Sequence, residues 1–300
     1  MVEADTLQSA IDAAINNSPS NLTHFAPARF ARLESQTVGA LLELEDGRRI
    51  KAQAIVGCDG VQSLVRAAAG IETEGRDYGK SVLAANVALA EPHCGIARQL
   101  FTPEGPFATL PLKGDRANLA WYMKRGAAEA LAERPVSSIE TELNARFSDW
   151  AGPMKIEGSP YAYPLILQIA EKMIANRVAL VGDAARRINP LAGQGLNLGF
   201  KDVAAFVECL VDARRTGLDI GAPTTLHAYQ AWRRFDATTT ALAMDTIDRL
   251  FSNDNPMLKI LRGGLLVATN KLAPVRTAIA RQASADQPDL PKLMQGQALI

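Results

Sequence analysis

Hydrophobic and polar positions follow two different periods along this chain of 300 residues, and the pattern predicts interleaved helices and strands. Apolar residues recur at helical spacing over 3–17. The dipeptide Asp46-Gly47 lies between strand-like runs at 41–45 and 48–56. This arrangement predicts a hairpin whose second arm continues without a break into an Asp-Gly turn.

The middle of the chain carries three apolar runs, at 82–90, 107–112 and 118–123. Their length and the short turns between them predict an antiparallel layer of strands. A helix is predicted to begin at Ser137 or Ser138, because serine is favoured at the position that precedes a helix.

The second half contains a short, nearly continuous apolar run at 177–181, which is typical of a buried parallel strand. Helical patterns follow at about 196–213, 224–251 and 256–282. The fold class indicated is therefore α/β, with at least one buried strand and one antiparallel layer.

Composition narrows the range of functions. Apolar residues make up 48% of the chain, so it can bury a sizeable core, and the net charge of zero argues against a nucleic-acid partner. Three cysteines without a C-x-x-C pair and three histidines without ligand spacing exclude a disulfide scaffold and predict no metal site. The sequence shows neither a membrane-spanning run nor a signal peptide, so we expect a cytoplasmic protein.

The strand at 177–181 leads into the segment that carries candidate chemistry. It delivers Asp183 to the carboxyl end of a sheet, where open α/β sheets bind ligands. Pro190 fixes a turn, and Gly193-Gln194-Gly195 permits close approach of the backbone to a flat or anionic ligand. The helix that begins near Leu196 and Asn197 would point its amide groups at that ligand. From the residues alone, an ordinary strand, loop and helix with a capping acid is the alternative.

A second motif, D-G-x-x-S-x-x-R, runs from Asp59 and Gly60 to Arg66. It follows the hairpin's second arm, so a simple Asp-Gly turn is the alternative interpretation. The two motifs occur in this order and more than a hundred residues apart, which favours a common site.

Both motifs resemble those of the FAD-dependent aromatic monooxygenases. The string G-D-A-A-x-x-x-x-P-x-x-G-Q-G-x-N-x-G-x-x-D occupies every position from Gly182 to Asp202, and the D-G motif resembles the one that contacts FAD and NAD(P)H in that family. Segments 100–112 and 245–256 are similar to the ubiquinone-biosynthesis (polyprenylphenol) hydroxylase branch. The resemblance covers nearly the whole chain.

The resemblance implies a para-hydroxybenzoate-hydroxylase-like FAD-binding fold, incomplete here, with an antiparallel substrate-domain sheet and C-terminal helices. Residues 1–75 would form the middle part of the FAD-binding domain, 76–170 the substrate-domain sheet, 171–255 the rest of the FAD-binding domain, and 256–300 a helical tail.

The resemblance also implies the chemistry: NAD(P)H reduces FAD, and the reduced flavin uses O₂ to hydroxylate a small phenolic substrate that carries a prenyl chain. Asp183 would bind the ribityl chain, and residues Pro190 to Asn197 would present backbone to the isoalloxazine ring. Asp59 and Gly60 would lie near the pyrophosphate and the nicotinamide. No residue stands out as a catalytic acid or base.

Two features depart from the family pattern. Arg186 stands where relatives usually have histidine, which would alter the charge near the flavin. The chain also has no G-x-G-x-x-G after an N-terminal strand, so we expect it to be the C-terminal two-thirds of a longer flavoprotein. The alternatives are an accessory protein that cannot hold FAD alone and another aromatic hydroxylase of the same superfamily.

The segment 257–283 carries five basic residues, no acidic residue and interleaved leucines. A basic amphipathic helix can lie on an anionic membrane surface, so a peripheral contact with the inner membrane is one hypothesis. Contact with a biosynthetic complex and a solvated helix face are the alternatives.

Overall fold

The computed structural model describes residues 1–18, 21–188, 194–234 and 290–299. In chain order its elements are α1 (Ala4–Asn16), β1 (Phe30–Ser35), β2 (Ala40–Leu44), β3 (Arg49–Ala52), β4 (Ile55–Gly57), α2 (Leu64–Ala68), β5 (Thr73–Leu89), β6 (Arg98–Thr102), β7 (Gly105–Pro111), β8 (Arg116–Lys124), α3 (Ala127–Ala132), α4 (Val136–Ala151), β9 (Met154–Ala170), β10 (Ile174–Ala175), β11 (Val178–Leu180), a 3-10 turn (Gly182–Ala184), β12 (Arg186–Arg187), α5 (Gln194–Arg215) and a second 3-10 turn (Lys292–Gln295). Residues 223–234 are also helical.

The strands form three sheets. Strands β1, β2 and β3 make a small antiparallel sheet, and β10, β11 and β4 make a second one in which β11 and β4 are parallel. The third sheet has the order β12-β9-β5-β8-β7-β6. The predicted α/β class with an antiparallel layer is confirmed.

The described residues fall into two compact units. One unit contains α1, α3, α4 and the antiparallel strands β6, β7 and β8, and the other contains α2, α5, the two small sheets and β12. Strands β5 and β9 begin in one unit and end in the other. Of the expected tail at 256–300, the described part contains only the 3-10 turn over Lys292–Gln295, and 257–283 lies outside the described residues.

Helix α4 shows why its sequence forms a core element. Its apolar residues recur every four positions, so that Ile139, Leu143 and Phe147 share one buried face. Phe147 stacks on Phe107 with ring centroids 3.8 Å apart, and Trp121 meets Phe147 edge to face. The helix begins after Pro135 rather than at either predicted serine, because proline's fixed φ suits that position.

The other unit is built around β11. Val178, Ala179 and Leu180 are completely buried, as the continuous apolar run predicts. Tyr229, from the helix at 223–234, donates its hydroxyl to the Leu180 carbonyl at 2.8 Å. The buried phenol therefore keeps a hydrogen-bond partner in the core.

One strand prediction needs correction. The hairpin at Asp46-Gly47 is confirmed, but its second arm is interrupted at Gln53, and β3 and β4 belong to different sheets. Strand β9 runs through Pro160 and Pro164. Proline's φ is compatible with an extended chain and removes only one backbone donor, so a strand can continue through it.

Gly75 in β5 provides a test of the packing in this fold. A Cβ at this position would lie 2.0 Å from the Leu167 carbonyl oxygen, so one backbone must move. We expect Gly75→Ala to lower the free energy of unfolding by about 1–3 kcal/mol in urea denaturation. Gly195→Ala is the control, because its Cβ would meet none of the described residues within 4 Å. Equal stability of the two variants would contradict the prediction.

Within the described residues, no helix combines the length and apolar character that crossing a bilayer requires.

Candidate functional site

The two sequence motifs leave the same edge of one sheet. Strands β4 and β11 run parallel, with Ile55 opposite Val178 and Gly57 opposite Leu180. The amide of Val181 extends the pairing by donating to the Gly57 carbonyl at 2.9 Å. Because parallel strands share a carboxyl edge, the loops that follow them emerge side by side.

The side chain of Asp59 caps the start of helix α2. Its carboxylate accepts hydrogen bonds from the amides of Leu64 and Val65, at 2.7 and 3.1 Å, and from the Ser63 hydroxyl. The hydroxyl of Ser63 in turn accepts from the Arg66 amide at 2.9 Å. The two side chains thus satisfy the free amides of the first turn, which every helix must cap. Gly60 has φ +79°, a left-handed conformation that favours glycine.

Arg66 joins the two loops. It is 9% exposed, and its Nη1 donates to the Ala184 carbonyl while its Nη2 donates to the Val61 carbonyl, both at 2.8 Å. Sequence reasoning identified this arginine only as the last letter of the D-G motif. Its bonds explain why the motif ends there, since the side chain fastens the first loop to the second.

Asp183 lies in the 3-10 turn that follows β11, beyond Gly182, whose φ is +62°. Within the described part of the chain its carboxylate makes no hydrogen bond, although its neighbours are well bonded. Partial desolvation raises the pKa of Asp183, and the positive charges of Arg187 and Arg186 oppose that rise. A carboxylate in this state can accept hydrogen bonds from a ligand's hydroxyl groups.

A buried ionic network contacts the Asp183 turn through the Gly182 amide. Asp202, with no exposed surface, accepts from the Gly182 amide at 3.1 Å and from Arg186 Nη2 at 2.7 and 2.8 Å. Arg233 Nε also donates to it, at 2.8 Å. Arg186 therefore points into the interior, where it bonds a carboxylate on α5.

Helix α5 begins at Gln194, after β12. Leu196 and Asn197 are exposed on its first turn, and Gly199 comes within ordinary contact of Gly182, 3.6 Å from its Cβ position to the Gly182 Cα. The free amides and the positive dipole end of α5 thus lie beside the Asp183 loop.

The structure places six of the nine predicted cofactor-binding residues in the same unit: Asp59, Gly60, Asp183, Gly195, Leu196 and Asn197. Gln194 is described by its backbone alone, and Pro190 and Gly193 lie outside the described residues. The cofactor contacts of all nine remain predictions.

Comparison with known proteins identifies the family. The sequence pattern of the FAD binding domain matches residues 31–240 of this chain. The ubiquinone hydroxylase UbiL of Rhodospirillum rubrum is 38% identical over 299 residues, covering 99% of this chain and 70% of that protein. The 3-demethoxyubiquinol 3-hydroxylase of Escherichia coli is 34% identical over 269 residues, covering 89% of this chain and 68% of that protein.

The fold has close structural neighbours. The p-nitrophenol 4-monooxygenase PnpA of Pseudomonas putida superposes with a TM-score of 0.76 at 18% identity, covering 93% of this chain and 71% of that one. The para-hydroxybenzoate-hydroxylase-like fold is thereby confirmed. The chain belongs to the family of FAD-binding aromatic monooxygenases, in the branch that contains the ubiquinone hydroxylases, as its two motifs predict.

Proposed function

We propose that this protein is an FAD-dependent monooxygenase that hydroxylates a phenolic ring in ubiquinone biosynthesis, with NAD(P)H as reductant and O₂ as oxidant. The matching family supports the cofactor, and the names of the relatives support the reaction and the pathway. FAD, when bound, supplies the transfer of electrons from NAD(P)H to O₂, and the protein binds and orients it.

One observation supports the proposal: the described part of the chain gives no structural reason either for the carboxylate at Asp183 or for the lack of a side chain at Gly195. Asp183 makes no hydrogen bond within the described residues, and Gly195 faces open space with an ordinary backbone conformation. Among the described residues, nothing lies within 4 Å of a Cβ added at Gly195. The lack of a side chain at Gly195 would allow a flat ligand to approach the backbone closely.

The described residues fit a flavin nucleotide. Asp183 would accept hydrogen bonds from ribityl hydroxyl groups, and the amides at the start of α5 would face the isoalloxazine ring. Asp59 already caps α2, so its loop would offer the backbone of Gly60 to the pyrophosphate rather than a free carboxylate. Arg66 would keep the two loops at a fixed separation while one loop binds the ribityl chain and the other binds the pyrophosphate.

Gly195→Ala separates a role in cofactor binding from a role in folding. We expect flavin affinity to fall roughly tenfold, because the new methyl group occupies the space that the ring would use, while stability stays within about 0.5 kcal/mol. Flavin fluorescence titration measures the affinity, and urea denaturation without flavin measures the stability. Unchanged flavin affinity would contradict this placement of the ring.

The finer parts of the proposal concern the substrate and its surroundings. We propose that the phenol carries a prenyl chain, that residues 76–170 form the substrate domain between the FAD-binding segments 1–75 and 171–255, and that the basic segment 257–283 contacts the inner membrane. Assay of a prenylated phenol tests the reaction, with hydroxylated product and NAD(P)H consumption measured together. NAD(P)H oxidation without hydroxylated product would contradict the assigned reaction.

A further inference from the structure

Arg186 lies on β12, shortly after the turn that carries Asp183. Its side chain is 3% exposed, so its role depends on the contacts that it makes inside the protein. Those contacts join it to helix α5 and, through the Asp202 carboxylate, to the Asp183 turn.

The hydrogen bonds of Arg186 within the described residues all come from one nitrogen, Nη2. This atom donates to Oδ1 and Oδ2 of Asp202 at 2.8 and 2.7 Å, and to the Leu198 carbonyl at 3.4 Å. Because Nη2 faces both oxygens, it holds the carboxylate in one orientation.

The orientation of this carboxylate matters to the turn. Asp202 Oδ2 accepts from the Gly182 amide at 3.1 Å, while Arg233 Nε donates to Oδ1 at 2.8 Å. Without Arg186, the carboxylate would keep a partner on Oδ1 and lose the donor that bridges its two oxygens. It could then rotate away from the Gly182 amide, which would favour positions where water replaces the lost acceptor.

The turn meets helix α5 at two glycines. A Cβ at Gly199 would lie 3.6 Å from the Gly182 Cα, and a Cβ at Gly182 would lie 3.7 Å from the Gly199 Cα. The two backbones therefore touch without side chains that could interlock. Hydrogen bonds, rather than side-chain packing, fix the position of the turn on the helix at this contact.

We propose that Arg186 is a positioning residue for the flavin site: through Asp202 it holds the Gly182 amide, and with it the Asp183 carboxylate, against helix α5. The proposal rests on the proposed function, which gives Asp183 its place beside the cofactor. Loss of Arg186 should therefore loosen this turn while the rest of the unit stays folded.

Hydrogen exchange of the full chain without flavin, measured at single amides by mass spectrometry, tests the position of the turn. We expect Arg186→Met to speed exchange of the Gly182 amide roughly tenfold, because the bond to Asp202 is weakened. Arg186→Lys should stay close to the wild type, because one ammonium can replace the one nitrogen that makes the bonds.

Flavin fluorescence titration of the same variants tests the link to the cofactor. Arg186→Met should bind FAD roughly tenfold more weakly, because binding must then order the turn again. Arg186→Lys should bind FAD nearly as the wild type does.

Arg177→Met is the matched control. Like Arg186, Arg177 is a buried arginine bonded to a carboxylate, with its side chain 7% exposed and its Nη1 donating to Asp219. It precedes β11, whereas the Asp183 turn follows that strand. Arg177→Met should lower the free energy of unfolding in urea and leave both Gly182 exchange and FAD affinity unchanged.

Wild-type exchange at Gly182 in Arg186→Met would overturn the proposal, and so would equal acceleration in Arg177→Met or unchanged FAD affinity in Arg186→Met. If Arg186→Met does not fold by circular dichroism, the shorter and uncharged Arg186→Gln replaces it. Equal Gly182 exchange in the glutamine and lysine variants would then overturn the proposal. A wild type that does not bind FAD would contradict the proposed function and the cofactor role, while Gly182 exchange would still decide whether Arg186 positions the turn.

Discussion

Asp202→Ala is expected to lower the free energy of unfolding by about 3–5 kcal/mol, a large part of a domain's total stability. Asp202 has no exposed surface and is the shared acceptor for Arg186, Arg233 and the Gly182 amide. Its removal would leave two buried guanidinium groups without the carboxylate that they share. Urea denaturation followed by circular dichroism measures the loss.

The loss of stability should differ between the partners of this ionic network. Arg186→Met removes one positive charge and leaves Asp202 paired with Arg233, which is a neutral pair. We therefore expect Arg186→Met to cost much less stability than Asp202→Ala. Equal losses would show that the contacts of the aliphatic stems, rather than the balance of charge, govern this part of the core.

Asp183→Ala is expected to weaken FAD binding roughly 100-fold, because a carboxylate that accepts hydrogen bonds from ligand hydroxyls loses all of them. The fold should be unaffected, since the Asp183 side chain makes no hydrogen bond within the described residues. Flavin fluorescence titration measures the affinity, and thermal unfolding without flavin provides the control. Wild-type affinity in the variant would exclude Asp183 from the cofactor site.

The same group predicts a pH dependence. The pKa of Asp183 is raised above its ordinary value by desolvation, and the ionised form is the one that accepts hydrogen bonds from hydroxyl groups. FAD affinity should therefore be highest above this raised pKa and fall as the pH decreases through it. In Asp183→Asn, which cannot ionise, the affinity should be flat across that range. A parallel slope in both proteins would assign the dependence to another group.

The sequence predicts much of this fold because the strongest patterns are local. The periodicity of α1, the Asp-Gly turn between β2 and β3, and the continuous apolar run of β11 each depend on a few neighbouring residues. The split between β3 and β4 is not visible in this way. It depends on partners, since β4 pairs with β11, a strand more than a hundred residues later in the chain.

In the candidate site, too, the sequence shows the local motifs but not the contacts between distant residues. Both motifs are readable, but whether Asp59 caps a helix or meets a ligand depends on distances that two amides and one hydroxyl define. The departure at Arg186 is visible in the sequence, while its partner Asp202 is 16 residues away and the competing Arg233 lies 31 residues beyond that. Residue type suggests the charge at such a position, and only the packing shows where it is balanced.

The bond pattern of Arg66 makes the two motif loops one mechanical part. Its acceptors are the main-chain carbonyls of Val61 and of Ala184, which lies 118 residues from Arg66. Because main-chain atoms accept these bonds, the side chains at both positions can change without breaking the link. A shift of either loop is transmitted to the other through this planar group as well as through the pairing of β4 with β11. A lysine, with one ammonium in place of a fork, could not span both carbonyls in this geometry. Insertion or deletion of a residue between Val61 and Arg66 would therefore displace the Asp183 turn, although the two segments are far apart in the sequence.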